Sequence, residues 1–273
     1  MDSRQRVIVL QLQSTDHIQA NLEQIESLLA GVSRDEVTGL VCLPENALYF
    51  RLKEGAPIPG LELTDLCFST LKNWAREKNL VMHLGSVPLK WKGKLVNSSV
   101  LIWPGGQIEA SYQKIHLFDI ALEGQKPIRE SDVFLHGEAP QAFTMNAWAW
   151  GQTICYDLRF AELYGRYAKD QIDGLLVPSA FLTKTGEAHW HVLLRARAIE
   201  SQCFVVAAAQ AGLHQSDSGQ RETYGHSLVV DPWGRILAEG SADRAERLEV
   251  VLDHLEVERI RRQIPMSQHR RLV

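Results

Sequence analysis

The sequence predicts an α/β fold of two mixed β-sheets with helices on their outer faces. Two observations support this prediction. Apolar, β-branched runs alternate with segments of helical periodicity, which is typical of βαβ units in a sheet that helices cover. Hairpin patterns are inserted among these units and bring the total to about ten to twelve strands and five helices. So many strands with inserted hairpins favour two sheets within one domain.

The first third of the chain follows the order β-α-β-α-β. Its first helix is expected to begin after Ser14-Thr15-Asp16, whose side-chain oxygens are suited to cap a helix N-terminus, and to end at Gly31. Apolar residues recur at helical spacing between these ends. The predicted strands cover 6–13, 39–45 and 79–87, and the second helix covers 64–78.

The remainder of the chain alternates hairpins with further strands and helices. Pro-Gly-Gly and Asp-Pro-Trp-Gly turns close the two predicted hairpins. Residues 117–140 lack periodicity, and a loop of that length in a compact domain is usually functional. The predicted elements are hairpins 98–116 and 226–240, strands 142–157, 173–181, 203–210 and 247–254, helices 158–170 and 189–202, and a charged helix that ends at Arg262.

Composition and charge exclude several classes of protein. The 273 residues are 45% hydrophobic and 23% charged, which suits a single globular domain over 1–273. The net charge of −4 creates no attraction to nucleic acid, and no basic run marks a membrane surface. No apolar run approaches the roughly 18 residues of a spanning helix, and the first apolar stretch is too short for a signal peptide. We therefore expect a cytoplasmic protein with no nucleic-acid or membrane partner.

Cys155 is a candidate nucleophile because it follows a predicted strand and precedes a predicted helix. The helix expected from Leu158 would lower the pKa of the thiol through its dipole. A lone cysteine at a strand end is nevertheless more often buried structure. The four cysteines form no CxxC pair, so neither a zinc ribbon nor a thioredoxin-like site is expected, and in a reducing compartment they should be free thiols.

Glu45 and Lys114 are candidate partners for this thiol. Glu45 ends the predicted strand 39–45, at the edge where α/β sheets build their sites, and a carboxylate there is able to take and return a proton. Lys114 stands among apolar residues, where a partly buried ammonium stabilises a developing oxyanion. Taken singly, each pattern also fits an ordinary surface residue.

Together, in this order, these residues resemble the Glu-Lys-Cys triad of the nitrilase superfamily of carbon–nitrogen hydrolases. The motifs that carry the resemblance are LPENALYF, YQKIHLFD and GQTICYDLRFAELYGRYA. The sequence similarity continues through YGHSLVVDPWG to the terminal QHRR. The resemblance covers nearly the whole chain. It implies a four-layer α-β-β-α sandwich and a homodimer or higher homo-oligomer, in which the basic tail 269–271 reaches across the interface. Ala161 departs from the family pattern, since many relatives have proline there.

The resemblance also implies a mechanism, in which Cys155 attacks a small-molecule amide and forms a thioester without a cofactor or metal. Glu45 is the expected base, Lys114 is the expected oxyanion stabiliser or proton donor, and the backbone N–H of Tyr156 is a further expected oxyanion donor. Glu130 matches a second glutamate of the family that orients the lysine or positions water. Further substrate-binding candidates near these motifs are Tyr49, Phe118, Arg159, Phe181 and Thr185.

Several alternatives stay open. Arg159 suits either a substrate carboxylate or a structural ion pair. The motif sequences are most similar to those of deaminated glutathione amidases and second most similar to those of ω-amidases that act on α-ketoglutaramate. Nitrile hydrolysis is less favoured. A non-catalytic ligand-binding module is a further alternative, although all three triad positions are filled. His189 and His191 point to different sides of their predicted helix, so we expect no metal between them.

Overall fold

The computed structural model describes residues 3–121 and 127–271, within which strands and helices alternate as in a layered α/β protein. The strands are β1 Arg4–Gln11, β2 Gly39–Cys42, β3 Leu80–Trp91, β4 Lys94–Ile102, β5 Ile108–Gln113, β6 Asp119–Ile120, β7 Ile128–Arg129, β8 Phe134–Leu135, β9 Gln141–Met145, β10 Trp148–Gln152, β11 Gly174–Leu176, β12 Phe204–Ala207, β13 Ala211–Ser216, β14 Gly219–Tyr224, β15 Leu228–Val230, β16 Ile236–Glu239 and β17 Glu246–Asp253. The α-helices are α1 Ile18–Leu29, α2 Leu66–Lys78, α3 Ala161–Lys169, α4 Thr183–Ser201, α5 His254–Gln263 and α6 Met266–His269, and 3-10 helices cover Glu130–Asp132 and Cys155–Arg159.

Two large sheets form the framework. One has the strand order β17-β1-β2-β3-β4-β5, with β8 paired to β4, and the other has the order β16-β15-β12-β11-β10-β9. Each has parallel strands at its centre and antiparallel strands at its edges, because βαβ crossovers connect the central strands and hairpins add strands at the edges. The strand β17, late in the chain, pairs with β1 and so closes the first sheet.

Three apolar clusters define four layers. The outer face of the first sheet packs against α1 and α2, and that of the second against α3 and α4. The third cluster lies between the sheets and joins residues such as Val9 and Val81 to Trp148, Trp150 and Phe204. Burying both faces of each sheet explains why the central strands are nearly continuous apolar runs. The predicted sandwich of two mixed sheets with outer helices is confirmed.

Several predicted boundaries are wrong. The segment 142–157, predicted as one strand, is the hairpin β9–β10, turned at Asn146 and Ala147 with φ values of 51° and 66°. Asn tolerates this left-handed conformation, which is the turn signal that the reading missed. The polar hairpin β13–β14 was also missed, and three of the strands that the prediction lacked, β6, β7 and β8, have only two residues. The helix α1 begins after His17, without a side-chain cap from Ser14-Thr15-Asp16.

Within the part of the chain that is described, no helix combines the length and the apolar character that crossing a bilayer would require.

Candidate active site

The three triad candidates meet where the two halves of the fold join. Glu45 follows the end of β2, Lys114 directly follows β5, and Cys155 opens the 3-10 helix beyond β10. The Lys114 ammonium lies 2.8 Å from Glu45 Oε1, and the side chains are 1% and 4% exposed. The same ammonium lies 2.8 Å from an oxygen of Glu130, which is 18% exposed. The structure therefore brings the predicted Glu130 to the other side of Lys114.

Asn97 on β4 ties the two carboxylates together, and the sequence reading missed it. Its Nδ2 donates to Glu45 Oε1 at 3.1 Å and to Glu130 Oε1 at 3.4 Å. The second oxygen of Glu130 accepts from the backbone N–H of Phe118 at 2.7 Å. A signal for Asn97 existed, since it begins a polar Asn-Ser-Ser run inside an apolar strand. Buried polar residues in a strand need partners, and these partners are the carboxylates of the site.

The Cys155 turn is held in a conformation that few non-glycine residues adopt. Its φ is 49°, and its backbone N–H donates to the carbonyl of Pro178 at 2.8 Å. The buried Asp157 carboxylate fixes the turn by accepting from the N–H of Ile154 at 2.9 Å and from the hydroxyl of Tyr112 at 2.7 Å. Left-handed backbone of this kind costs on the order of 1 kcal/mol or more and persists where the surroundings enforce it. Because Tyr112 precedes Lys114, Asp157 also couples the thiol to the lysine segment.

The charges around Cys155 act against the expected effect of a helix dipole. Burial raises the pKa of the Cys155 thiol, the Glu45 carboxylate raises it further, and Lys114 only partly offsets both. The α-helix expected from Leu158 begins at Ala161, so its N-terminus is not at the thiol. The prediction of a lowered pKa is therefore wrong, and the resting group is a neutral thiol that needs a base.

Lys114 is permanently charged in this setting. Burial alone would lower the pKa of its ammonium, but the adjacent Glu130 and Glu45 carboxylates outweigh that effect and hold the pKa well above its usual value. A buried ammonium with two carboxylate partners is a fixed positive charge. It is therefore suited to stabilise an oxyanion and not to give up a proton.

Gly85 on β3 lies beneath the site, at the point where segments from both sheets come together. A Cβ at this position would stand 2.2 Å from the carbonyl oxygen of Leu43 and 2.2 Å from Pro178 Cβ. Leu43 leads to Glu45, and Pro178 accepts the N–H of Cys155. Gln210 supports the same segment from the second sheet, since its Nε2 donates to the backbone carbonyl of Glu45 at 3.0 Å.

A cavity of about 930 Å³ opens above these residues. It is lined by the triad candidates, by Glu130 and Tyr156, and by all five predicted binding residues, Tyr49, Phe118, Arg159, Phe181 and Thr185. Three further arginines in its wall, Arg51, Arg129 and Arg221, were not anticipated from the sequence.

The position of Arg159 bears on the choice that the sequence left open. Its guanidinium lies over the rings of Tyr156 and Phe181, at 5.9 and 5.2 Å from their centroids, and Nη1 is 3.0 Å from His189 Nδ1. Among the residues described, no carboxylate forms an ion pair with it. This arrangement favours substrate binding over a structural ion pair.

The structure places His191 in a cluster that helical spacing did not reveal. His191 Nε2 and His226 Nδ1 lie 3.0 and 2.8 Å from the same oxygen of Glu239, and the three donor atoms lie within 4.8 Å of one another. These are atom types that bind transition metals. The cluster is outside the residues that line the cavity, and the carboxylate is already hydrogen-bonded to both rings.

Comparison with known proteins agrees with this fold. A family model for carbon–nitrogen hydrolases matches residues 6–262. The chain therefore belongs to the carbon–nitrogen hydrolase family, within the nitrilase superfamily, and is a hydrolase of C–N amide bonds.

Individual relatives cover nearly all of the chain. A deaminated glutathione amidase of Yersinia enterocolitica is 35% identical over 272 residues, which are 98% of this chain and 93% of that protein. The crystal structure of the C. elegans NitFhit protein superimposes with a TM-score of 0.84 at 33% identity, covering 99% of this chain and 66% of that one. Saccharomyces cerevisiae Nit3, a member of branch 10 of the superfamily, gives a TM-score of 0.81 at 28% identity, with 98% and 97% covered.

Proposed function

We propose that this protein cleaves an amide bond of a small carboxylate-bearing metabolite through a Cys155 thioester, and that deaminated glutathione is the substrate. The observation that carries the proposal is the buried contact of Lys114 with Glu45 beside Cys155, at the base of a cavity of about 930 Å³. The similarity to a deaminated glutathione amidase over 98% of the chain supports the choice of substrate.

The reaction begins when Glu45 takes the proton of the Cys155 thiol. The thiolate adds to the amide carbonyl, and the negative charge moves onto the carbonyl oxygen, where Lys114 and the N–H of Tyr156 stabilise it. The C–N bond then breaks, and Glu45 returns its proton to the leaving amine. A thioester between Cys155 and the acyl group remains.

Hydrolysis of the thioester repeats these steps with water. Glu45 takes a proton from a water molecule, whose oxygen attacks the thioester carbonyl. The second tetrahedral intermediate expels the Cys155 thiolate, which recovers its proton from Glu45, and the acid leaves. Glu130 positions Lys114 through their 2.8 Å contact, so that the ammonium stays directed at the oxyanion in both halves of the cycle.

Arg159 is proposed to bind the carboxylate of the acyl group. It lies on the 3-10 helix that begins with Cys155, so it is close to whatever is attached to the thiol. Phe118 and Phe181 provide apolar walls, while Tyr49 and Thr185 offer hydroxyl groups to the polar part of the substrate.

A comparison of Cys155→Ala with Cys67→Ala tests the assignment. Both remove a buried cysteine, but Cys67 lies on α2 away from the cavity. We expect wild type and Cys67→Ala to release a ninhydrin-positive dipeptide from deaminated glutathione, and Cys155→Ala to release none while its circular dichroism is unchanged. Full turnover by Cys155→Ala would refute the nucleophile. Ammonia release from α-ketoglutaramate, without dipeptide release, would identify an ω-amidase instead.

We also propose that the chain is one domain that forms a cytoplasmic homodimer. Pairing of β17 with β1 supports a single domain, and four unpaired buried thiols suit a reducing compartment. Val192 and Ile199 on α4 and the neighbouring Trp233 are 69%, 46% and 47% exposed, which favours a partner surface. Light scattering during gel filtration should give twice the chain mass of 30.8 kDa.

A further inference from the structure

Arg221 on β14 is a partly buried cation in the cavity wall, and among the residues described no carboxylate forms an ion pair with it. Its guanidinium lies over the ring of Phe50, 5.2 Å from the centroid, and Nη1 donates to the backbone carbonyl of Arg51 at 3.1 Å. Within residues 3–121 and 127–271, most of its five donors have no protein acceptor. A guanidinium that is partly withdrawn from water is usually paired with an anion.

The position of Arg221 is fixed by buried contacts, as expected of a binding group. The Phe50 ring that supports it packs edge-on against His214, at 4.7 Å between centroids. His214 in turn contacts the backbone carbonyl of Ser14 at 2.8 Å and the hydroxyl of Thr223 at 2.7 Å. Thr223 lies on the same strand as Arg221, so the guanidinium and its aromatic support are held by one network and little order is lost when a ligand binds.

The electrostatic surroundings of Arg221 favour an incoming anion. Burial lowers the pKa of its guanidinium, and the positive charge of Arg51 lowers it further. The carboxylates of Glu45, Glu54 and Glu130 act in the opposite direction and raise it. A substrate carboxylate would therefore gain two neighbouring positive charges and the fork geometry of a guanidinium.

Arg221 and Arg159 reach the cavity from different segments of the chain and pack on different aromatic rings. Arg159 is on the Cys155 turn and rests on Tyr156 and Phe181, whereas Arg221 rests on the segment that follows Glu45. The acyl group is bound to Cys155 and so belongs with Arg159. The wall that holds Arg221 is then available to the amine part of the amide.

We propose that Arg221, with Arg51 beside it, forms a second carboxylate subsite for the leaving group of the scissile amide. The inference rests on the proposed function and narrows it. The preferred substrates are dianions, in which a small acid with its own carboxylate is joined to a short peptide that ends in a free carboxylate. Deaminated glutathione has this form, whereas an ω-amide that releases ammonia has nothing to occupy the Arg221 subsite.

Two substrates that differ only at the peptide end test the subsite. They are deaminated glutathione and its analogue with a carboxamide in place of the terminal glycine carboxylate. We expect wild type to prefer the free acid in kcat/KM by about 10- to 100-fold, the range for a charge-assisted bidentate hydrogen bond. Arg221→Met should bring this ratio close to 1, and Arg221→Lys, which keeps the charge but not the fork, should give an intermediate ratio.

Arg166→Met is the matched control, because Arg166 is 61% exposed on α3 and its loss lowers the net charge equally. It should keep the wild-type ratio. A ratio near 1 in wild type, or an unchanged ratio in well-folded Arg221→Met and Arg221→Lys, overturns the subsite. If wild type hydrolyses neither compound, the proposed function fails. The subsite is then decided by calorimetric binding of both compounds to Cys155→Ala with and without Arg221→Met, where a preference for the free acid that depends on Arg221 supports it and equal binding refutes it.

Discussion

Replacing Lys114 with methionine should destabilise the protein in a way that depends on pH. The ammonium lies 2.8 Å from an oxygen of Glu45 and 2.8 Å from an oxygen of Glu130. Those two oxygens are therefore at most about 5.6 Å apart, and without the cation they repel by about 3 kcal/mol at an effective dielectric constant near 20. Removing one partner of a buried ion pair generally costs about 3–5 kcal/mol. We expect a loss of that size in the free energy of unfolding at pH 8.

At lower pH one carboxyl escapes the repulsion by binding a proton. Protonating a glutamate with a pKa of about 4.3 costs about 1.6 kcal/mol at pH 5.5, which is less than the repulsion, but about 5 kcal/mol at pH 8. In the variant the shared proton raises the folded-state pKa of the pair above its unfolded value. The stabilisation that this proton gives the variant is therefore present at low pH and is lost as pH rises through the folded-state pKa. The loss relative to wild type should be about 1.4 kcal/mol smaller at pH 5.5 than at pH 8.

Urea unfolding of wild type and Lys114→Met at both pH values measures these differences. Adding Glu130→Gln to Lys114→Met removes one of the two negative charges, so it should recover about 3 kcal/mol at pH 8 and abolish the pH dependence. Lys90→Met is the control, because its ion pair with Glu62 is exposed and its loss should leave the unfolding free energy nearly unchanged at both pH values. An equal loss for Lys114→Met at pH 5.5 and pH 8, without rescue by Glu130→Gln, would refute the electrostatic account.

Two further predictions concern a backbone contact and a surface cluster. Gly85→Ala should lower stability by about 1–3 kcal/mol and turnover by about 10-fold or more, because its Cβ would press both segments that carry the site. Gly165→Ala, whose nearest neighbour would be 3.8 Å away, should lose neither in the same unfolding and activity assays. At Glu239, burial raises the pKa of the carboxyl but hydrogen bonds from His191 and His226 outweigh it and leave the pKa lowered. Glu239→Gln should therefore reduce stability by up to about 1 kcal/mol at pH 7, and the difference should disappear as pH falls through the folded-state pKa of Glu239; a difference that grows below pH 4 would contradict this.

Local patterns in the sequence were sufficient to predict the layers, whereas the triad was predicted only from the resemblance of three motifs taken together. The apolar runs that became β1, β10 and β12 are buried on both faces, so their signal is strong. The strands β13 and β14 form a separate two-stranded sheet, in which buried and exposed residues are mixed and many side chains are polar. They therefore lack the apolar run that predicts a buried strand. The hairpin that they form nevertheless carries Arg221 into the cavity. Residues of this kind are identified by what lies beside them in space.

The pKa of Cys155 could not be predicted from its neighbours in sequence for the same reason. Helix position suggested a lowered value, but burial and Glu45 come from the tertiary structure and raise it. The role of Asn97 in the site could not be predicted either, because it depends on hydrogen bonds to two carboxylates that are distant in sequence. The residue types at the site were therefore foreseeable, whereas their charge states were not.

The raised thiol pKa has a consequence for the proposed mechanism. The charged Lys114 ammonium, Glu45 and Glu130 lie beside a neutral thiol. When Glu45 takes the thiol proton, the total charge of this cluster does not change, because the proton moves only within the cluster. Attack then transfers the negative charge to the carbonyl oxygen, where Lys114 is already fixed by Glu130. The net charge of the buried site therefore stays constant during attack. Because of this, the transition state carries no additional desolvation cost of the kind that keeps the resting thiol protonated.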